Sequence, residues 1–255
     1  MILEDYHLHT TFCDGKHTPE QMVKAAISLG MTRIGITVHS FTDFDTECCI
    51  DPARIDEYKA TIAALKEKYK DKIEVLCGIE QDVYTTIKPE GYDYIIGSVH
   101  YVKKNNEYIT VDLKKELLKE KIAIHYNGDF YAFCEDYYAL VAGIANTNAD
   151  IIGHFDLITK LNGKDDLFDQ TNERYLKAAK SAADILLKTG KAFEVNTGGI
   201  SRGYIDHPYP DIPLLKYIAE NGGSFVLTSD AHSSENLCFQ FDKWYAVLEE
   251  IKNKQ

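Results

Sequence analysis

Six imidazoles and three carboxylates stand where apolar runs of this chain end. His7-Leu8-His9 follows Ile2–Tyr6, His39 follows Ile34–Val38 and Glu80 follows Ile73–Ile79. His100 follows Tyr94–Val99, His154 follows Ile151–Gly153, and Asp230-Ala231-His232 follows Phe225–Ser229. Asp14-Gly15 comes five residues after His9. Ligand-type side chains recurring at the C-terminal ends of successive strands build a metal site at one mouth of a parallel barrel. Such a site points to metal-dependent hydrolysis.

Each signal is modest by itself. Alternation along a strand puts both imidazoles of His7-x-His9 on one side, but such pairs also occur on surface strands. Asp-Gly is ordinary turn chemistry. The carboxylates of Glu80 and Asp230, each closing a run that would otherwise be buried, are harder to explain structurally, because an unpaired buried charge is costly. Together, nine candidates exceed what one ion uses and suit two or three ions sharing a bridging carboxylate. Nitrogen and oxygen donors without thiolate suit zinc, manganese or iron. Cys13, between His9 and Asp14, is a further soft donor or a packing residue beneath them.

Seven strands are expected to position these groups, at 2–7, 33–39, 73–80, 94–100, 151–155, 192–197 and 224–229. Helical patterns alternate with them. Thr18-Pro19 opens one helix and Gly30 ends it. Asp51-Pro52 opens another, with Ile55, Tyr58, Ile62 and Leu65 on one face. Helices are also expected at Tyr131–Asn146, Asn172–Thr189, Ile212–Glu220 and Ser234–Lys252. Residues 102–128 are polar and lysine-rich, and read as two helical pieces without a clean strand. The alternation predicts an α/β fold with parallel strands: a barrel one strand short of eight, in a single domain over residues 1–255.

A length of 255 residues suits one such barrel, and 45% hydrophobic residues suffice for its core. The formal charge of −12 argues against nucleic-acid or membrane-surface partners. No run approaches a membrane span and the first residues do not read as a secretory leader, so a cytoplasmic location is expected, with six reduced cysteines. Oligomeric state is not legible.

His7-x-His9, Asp14-Gly15, His39, Glu80, His100, His154 and Asp230-x-His232, all in order, resemble the motif set of the PHP (polymerase and histidinol phosphatase) family. That resemblance implies a distorted, TIM-like (β/α)7 barrel with three divalent metal ions. His7, His9, Glu80 and Asp230 would hold one, and Glu80 would bridge to a second held by His100 and His154. Asp14, His39 and His232 would hold the third. Many relatives carry a histidine where this chain has Gly15, and Asp14 matches the aspartate form of that motif. The lack of polymerase modules, the segment Asn196–Tyr204 and the segment His154–Lys160 resemble the histidinol-phosphatase branch. The resemblance then implies hydrolysis of L-histidinol phosphate in histidine biosynthesis, by attack of a metal-bridging hydroxide.

A phosphate dianion also needs cationic donors. Arg202 in its glycine-flanked loop is the leading candidate, for its planar fork, followed by Lys160 and His17. His17 is also a candidate acid for the leaving alkoxide. The ammonium and imidazole of histidinol would meet the loop after His39, through Asp43, Glu47 and its aromatic rings, with Tyr101 beside them. The competing readings are a PHP phosphoesterase acting on nucleotides or other small phosphoesters, an amidohydrolase-type barrel, and a non-catalytic metal-holding module.

Overall fold

The computed structural model describes residues 3–163 and 166–253. Its strands are β1 (Glu4–Asp5), β2 (Arg33–Ile36), β3 (Glu74–Asp82), β4 (Tyr94–Ser98), β5 (Tyr101–Lys104), β6 (Glu107–Thr110), β7 (Ile151–Ile152), β8 (Ala192–Asn196) and β9 (Phe225–Thr228). The helices are α1 (Pro19–Ser28), α2 (Ile55–Tyr69), α3 (Lys115–Tyr126), α4 (Phe130–Gly143), α5 (Glu173–Leu187), α6 (Gly198–Ser201), α7 (Ile212–Glu220) and α8 (Phe241–Lys252). Seven strands form one parallel sheet in the order β1-β2-β3-β4-β7-β8-β9, a nearly closed α/β barrel. All seven expected strands are present, mostly shorter than expected; Ile2, the expected start of the first, lies outside the described residues.

The seam between β1 and β9 closes through the segments that follow them. His9 N–H donates to Ala231 O at 2.8 Å, Ala231 N–H to His7 O at 3.3 Å, and Leu8 bridges Ala231 in parallel. Below this, the buried Asp5 carboxylate accepts from the N–H groups of His7 and Ser229 and from the Ser229 hydroxyl. Asp230-Ala231-His232 lies beyond the end of β9 and forms this seam. Asp230 has φ 49°, a left-handed turn that lets Ala231 reach the seam while both flanking side chains enter the mouth.

The barrel interior is filled by Tyr94, Ile96 and Ile151, with Tyr6, Leu76 and Val226 packed against them. Gly35 and Gly78 make room for Tyr94: a Cβ on either would lie 2.3 or 2.2 Å from its ring or hydroxyl atoms. Outside, α1 begins with a Thr18–Gln21 capping box and Pro19 in its first turn, as its sequence predicts, and buries Met22, Val23 and Ala26. α2 buries Tyr58, Ile62, Leu65 and Tyr69, a 3.6-residue stripe.

Two expectations fail. The 102–128 stretch holds an antiparallel hairpin, β5–β6, and one helix rather than two helical pieces. Asn105 and Asn106, at φ 50° and 64°, form its tip, since asparagine tolerates the positive φ of a tight hairpin turn. Val102 and Ile109 pair across the hairpin and are buried; Lys103 lies on the other face, while Lys104, on the same face as Val102, reaches past the core to Asp136. The helix expected over Ser234–Lys252 starts only at Phe241, because Cys238 and Gln240 take left-handed backbone at φ 52° and 56°. No described helix is long and apolar enough to cross a membrane.

Candidate metal centre

Every one of the nine candidates reaches the mouth formed by the C-terminal ends of the strands. Glu80 sits at the centre, 1% exposed. Its Oε1 lies 2.8 Å from His154 Nε2 and 3.2 Å from His100 Nε2. Its Oε2 lies 2.8 Å from His39 Nδ1, 3.1 Å from His7 Nε2 and 3.4 Å from His9 Nε2. Three groups of donor atoms converge: His7, His9 and Asp230; His39, Glu80 and His100; and His9, Asp14, His39 and His232. His39 faces two ways, with Nδ1 toward Glu80 and Nε2 3.6 Å from Asp14 Oδ1.

The geometry fits cations. A tetrahedral ion with bonds of about 2.0–2.1 Å sets its ligand atoms about 3.3 Å apart. His7 Nε2 lies 3.1 Å from both His9 Nε2 and Glu80 Oε2, and His9 Nε2 lies 3.4 Å from both Glu80 Oε2 and Asp230 Oδ1. His7 Nε2 to Asp230 Oδ1 is 3.8 Å. Two imidazole nitrogens facing each other at that distance, beside a buried Glu80 Oε2 without an aligned hydrogen bond, form a cradle of lone pairs for a positive charge.

The electrostatics agree. Burial opposes ionised Glu80, yet His7, His39 and His100 hold its pKa well below the usual carboxylate range. Burial likewise opposes charged His100, but Glu80 and Asp82 raise its pKa to about 10. His7 is raised well above its ordinary value against burial by Glu194, Glu80 and Asp230. His9, desolvated and facing His39 and His232, is lowered to about 3. The protons that His7 and His100 carry occupy positions that cations would take.

Carboxylates outside the nine orient the rings. His7 Nδ1 lies 2.7 Å from Glu194 Oε1, and Glu194 Oε2 accepts from the His154 N–H at 2.9 Å. Asp82 Oδ2 lies 3.0 Å from both the His100 N–H and Nδ1. With Nδ1 so engaged, Nε2 is left to face the centre. Sequence reasoning missed Glu194 and Asp82. Their signal was a carboxylate in phase with Asn196 on β8, and one two residues beyond Glu80 on β3.

Gly15 is explained by its surroundings: a Cβ there would lie 2.3 Å from the His9 carbonyl carbon. No histidine fits at 15 on this backbone, and Asp14 reaches His232 Nε2 at 3.1 Å instead. Cys13 packs with Sγ 3.4 Å from His9 Nδ1, outside the three donor groups.

The centre opens into a cleft of about 250 Å³. Arg202, Lys160, Tyr101 and Tyr204 line it. Arg202 donates from Nη2 to Asp230 Oδ2 at 2.9 Å, and its Nη1 lies 2.8 Å from His232 Nδ1. The same Nδ1 is 2.9 Å from Asp230 O. A His232 that presents Nε2 to a cation carries its proton on Nδ1, donates to Asp230 O and no longer accepts from Arg202. Lys160 Nζ is paired with Asp112 Oδ2 at 2.7 Å.

Three expected substrate contacts are not in the cleft wall. His17 is tied to the turn after the seam, its Nδ1 accepting from Ser234 N–H at 3.0 Å. Asp43 and Glu47 point to solvent on the loop after His39; the carboxylate of that loop that faces the cleft is Asp45.

A family model for the PHP domain matches residues 5–198. The chain belongs to the PHP domain family. Across 93% of its length this PHP chain is 31% identical to a Deinococcus radiodurans protein named "Probable histidinol-phosphatase", covering 89% of that protein. It is 24% identical to the histidinol-phosphatase of Bacillus subtilis, over 95% of this chain and 98% of that one. Among solved structures, a Listeria monocytogenes chain superposes with a TM-score of 0.82 at 20% identity, over 94% of this chain and 99% of that one. The Lactococcus lactis histidinol phosphate phosphatase, complexed with zinc, L-histidinol and phosphate, gives 0.68 at 20% identity, over 98% and 93%. These two likenesses show the fold.

Proposed function

We propose that this PHP chain is a metal-dependent phosphomonoesterase that hydrolyses L-histidinol phosphate to L-histidinol and phosphate, within histidine biosynthesis. The observation that carries the reading is the convergence of nine donor side chains at one mouth, five histidines of them on Glu80, in a protein 31% identical, nearly end to end, to one named for that activity.

His7, His9, Asp230 and one Glu80 oxygen would hold one cation. The other Glu80 oxygen with His100 and His154 would hold a second, and Asp14, His39 and His232 a third. Bound divalent cations supply Lewis acidity toward phosphoryl oxygen and acidify water to hydroxide near neutral pH. The chain's own residues do the rest. Glu80, with its two oxygens turned to different histidines, would be shared by two of these cations. Arg202 brings a fixed fork of donors to the phosphate end of the cleft, and Lys160 adds charge beside it. The buried wall of His7, His9 and His154 keeps water from the inner side. Six unpaired cysteines suit a reducing compartment, which supports a cytoplasmic location.

The test is phosphate release from L-histidinol phosphate by enzyme reconstituted with zinc, manganese or iron, beside nucleotides and a phosphodiester. A kcat/KM above about 10⁴ M⁻¹s⁻¹ on histidinol phosphate alone supports the reading. Faster turnover of a nucleotide would keep the centre and reject the substrate.

A further inference from the structure

Six carboxylates line the cleft, and five are already committed. Asp14, Glu80 and Asp230 belong to the donor groups or their hub. Asp82 is held by His100, and Asp112 is neutralised by Lys160. Asp45 alone of these faces the cleft without a cation: its described side-chain partners are the neutral phenol of Tyr101, whose hydroxyl donates to Oδ2 at 2.7 Å, and the Glu47 N–H at 3.4 Å from Oδ1. Burial and the nearby Asp45 raise the Tyr101 pKa, so the phenol stays a neutral donor.

Asp45 is also held in place. Its carbonyl accepts from the Thr42 hydroxyl at 2.8 Å, closing a turn, and Thr42 and Asp45 bridge. Phe44, next in chain, stacks on Tyr108 of the hairpin with centroids 3.6 Å apart and meets Tyr101 edge-on at 4.9 Å. The loop is thus stapled to β5–β6 by aromatic contacts, which order the carboxylate before a ligand arrives and cut the entropy cost of binding.

We infer that Asp45 is the specificity-determining residue that reads the cationic end of the substrate, an ammonium or imidazolium, while Arg202 meets the phosphate. This rests on the phosphatase reading above. The cleft is then bipolar, with a fixed anion for one end of the substrate and cationic donors for the other. A phosphomonoester with a neutral tail leaves Asp45 desolvated without a cationic partner and is disfavoured.

The test compares kcat/KM for L-histidinol phosphate and for phenyl phosphate, whose tail is neutral. Wild type prefers the first, and Asp45→Asn lowers that preference at least tenfold, mainly through KM. Asp45→Glu, which keeps the charge, restores much of it. The ratio does not depend on the fraction of active enzyme, so partial misfolding cannot imitate the result. A preference kept intact in Asp45→Asn, or lost equally in Asp45→Glu, overturns the role of Asp45 and leaves the phosphatase reading standing. A wild type that does not prefer histidinol phosphate overturns both.

Discussion

His7 Nδ1 and Glu194 Oε1 lie 2.7 Å apart, with both side chains wholly excluded from solvent. The contact joins β8 to the segment after β1, past the intervening β9. It fixes the ring and tautomer that aim His7 Nε2 at Glu80, and the other Glu194 oxygen holds the His154 backbone. Glu194→Gln keeps the shape and removes the charge. We predict metal affinity about 10-fold weaker, up to 100-fold, by competition with a chromophoric chelator. Unchanged affinity would mean that Glu194 serves packing alone.

Glu80 is shared among five histidines, so its loss cannot be local. Glu80→Ala and His100→Ala are each expected to reduce phosphatase turnover by about 10³-fold or more, the scale of losing transition-state charge stabilisation. Circular dichroism should still show a folded barrel. Near-normal rates in both variants would sink the metal assignment.

Arg202 couples the centre to the cleft by gripping Asp230. Arg202→Lys keeps the charge but loses the planar fork, and kcat/KM on the phosphomonoester should fall about 10- to 100-fold. His17→Ala should change it less than about threefold, since His17 is outside the cleft wall. A larger loss in His17→Ala than in Arg202→Lys would reverse these roles.

Protons and cations compete for the same nitrogens. In metal-free protein His100 has a pKa raised from 6.5 to about 10, so its stabilising charge is fully present below pH 6.5 and is lost as pH rises through 10. Metal binding must displace that proton, so log K for zinc should rise by at least about one per pH unit between pH 6 and 8. Calorimetry in buffers of different ionisation enthalpy should show proton release. A pH-independent affinity would contradict the protonation assigned to His100.

Gly15 sits against the backbone of His9 and Thr10. Gly15→Ala must shift the loop that carries Asp14, at a cost of about 2 kcal/mol, lowering Tm by roughly 4–8 °C. It should also weaken metal retention. A variant as stable and as metal-rich as wild type would show that the loop relaxes freely.

The sequence by itself determined much of this molecule: seven strands, the helices that alternate with them and the nine side chains at their ends. Apolar periodicity is local, and a ligand that ends a buried run is conspicuous against it. Long-range placement was not legible. The hairpin was hidden because its two buried residues, Val102 and Ile109, are scattered among lysines, and only pairing shows that they share a face. Glu194, Asp82 and Asp5 looked like isolated polar residues in strands; their roles come from partners brought close by the fold, as with Asp5 and Ser229 across 224 residues. Asp43, Asp45 and Glu47 were equivalent as sequence. Which carboxylate faces the cleft depends on the Thr42 turn and on Phe44 stacking against Tyr108, contacts that exist only once loop and hairpin have packed together.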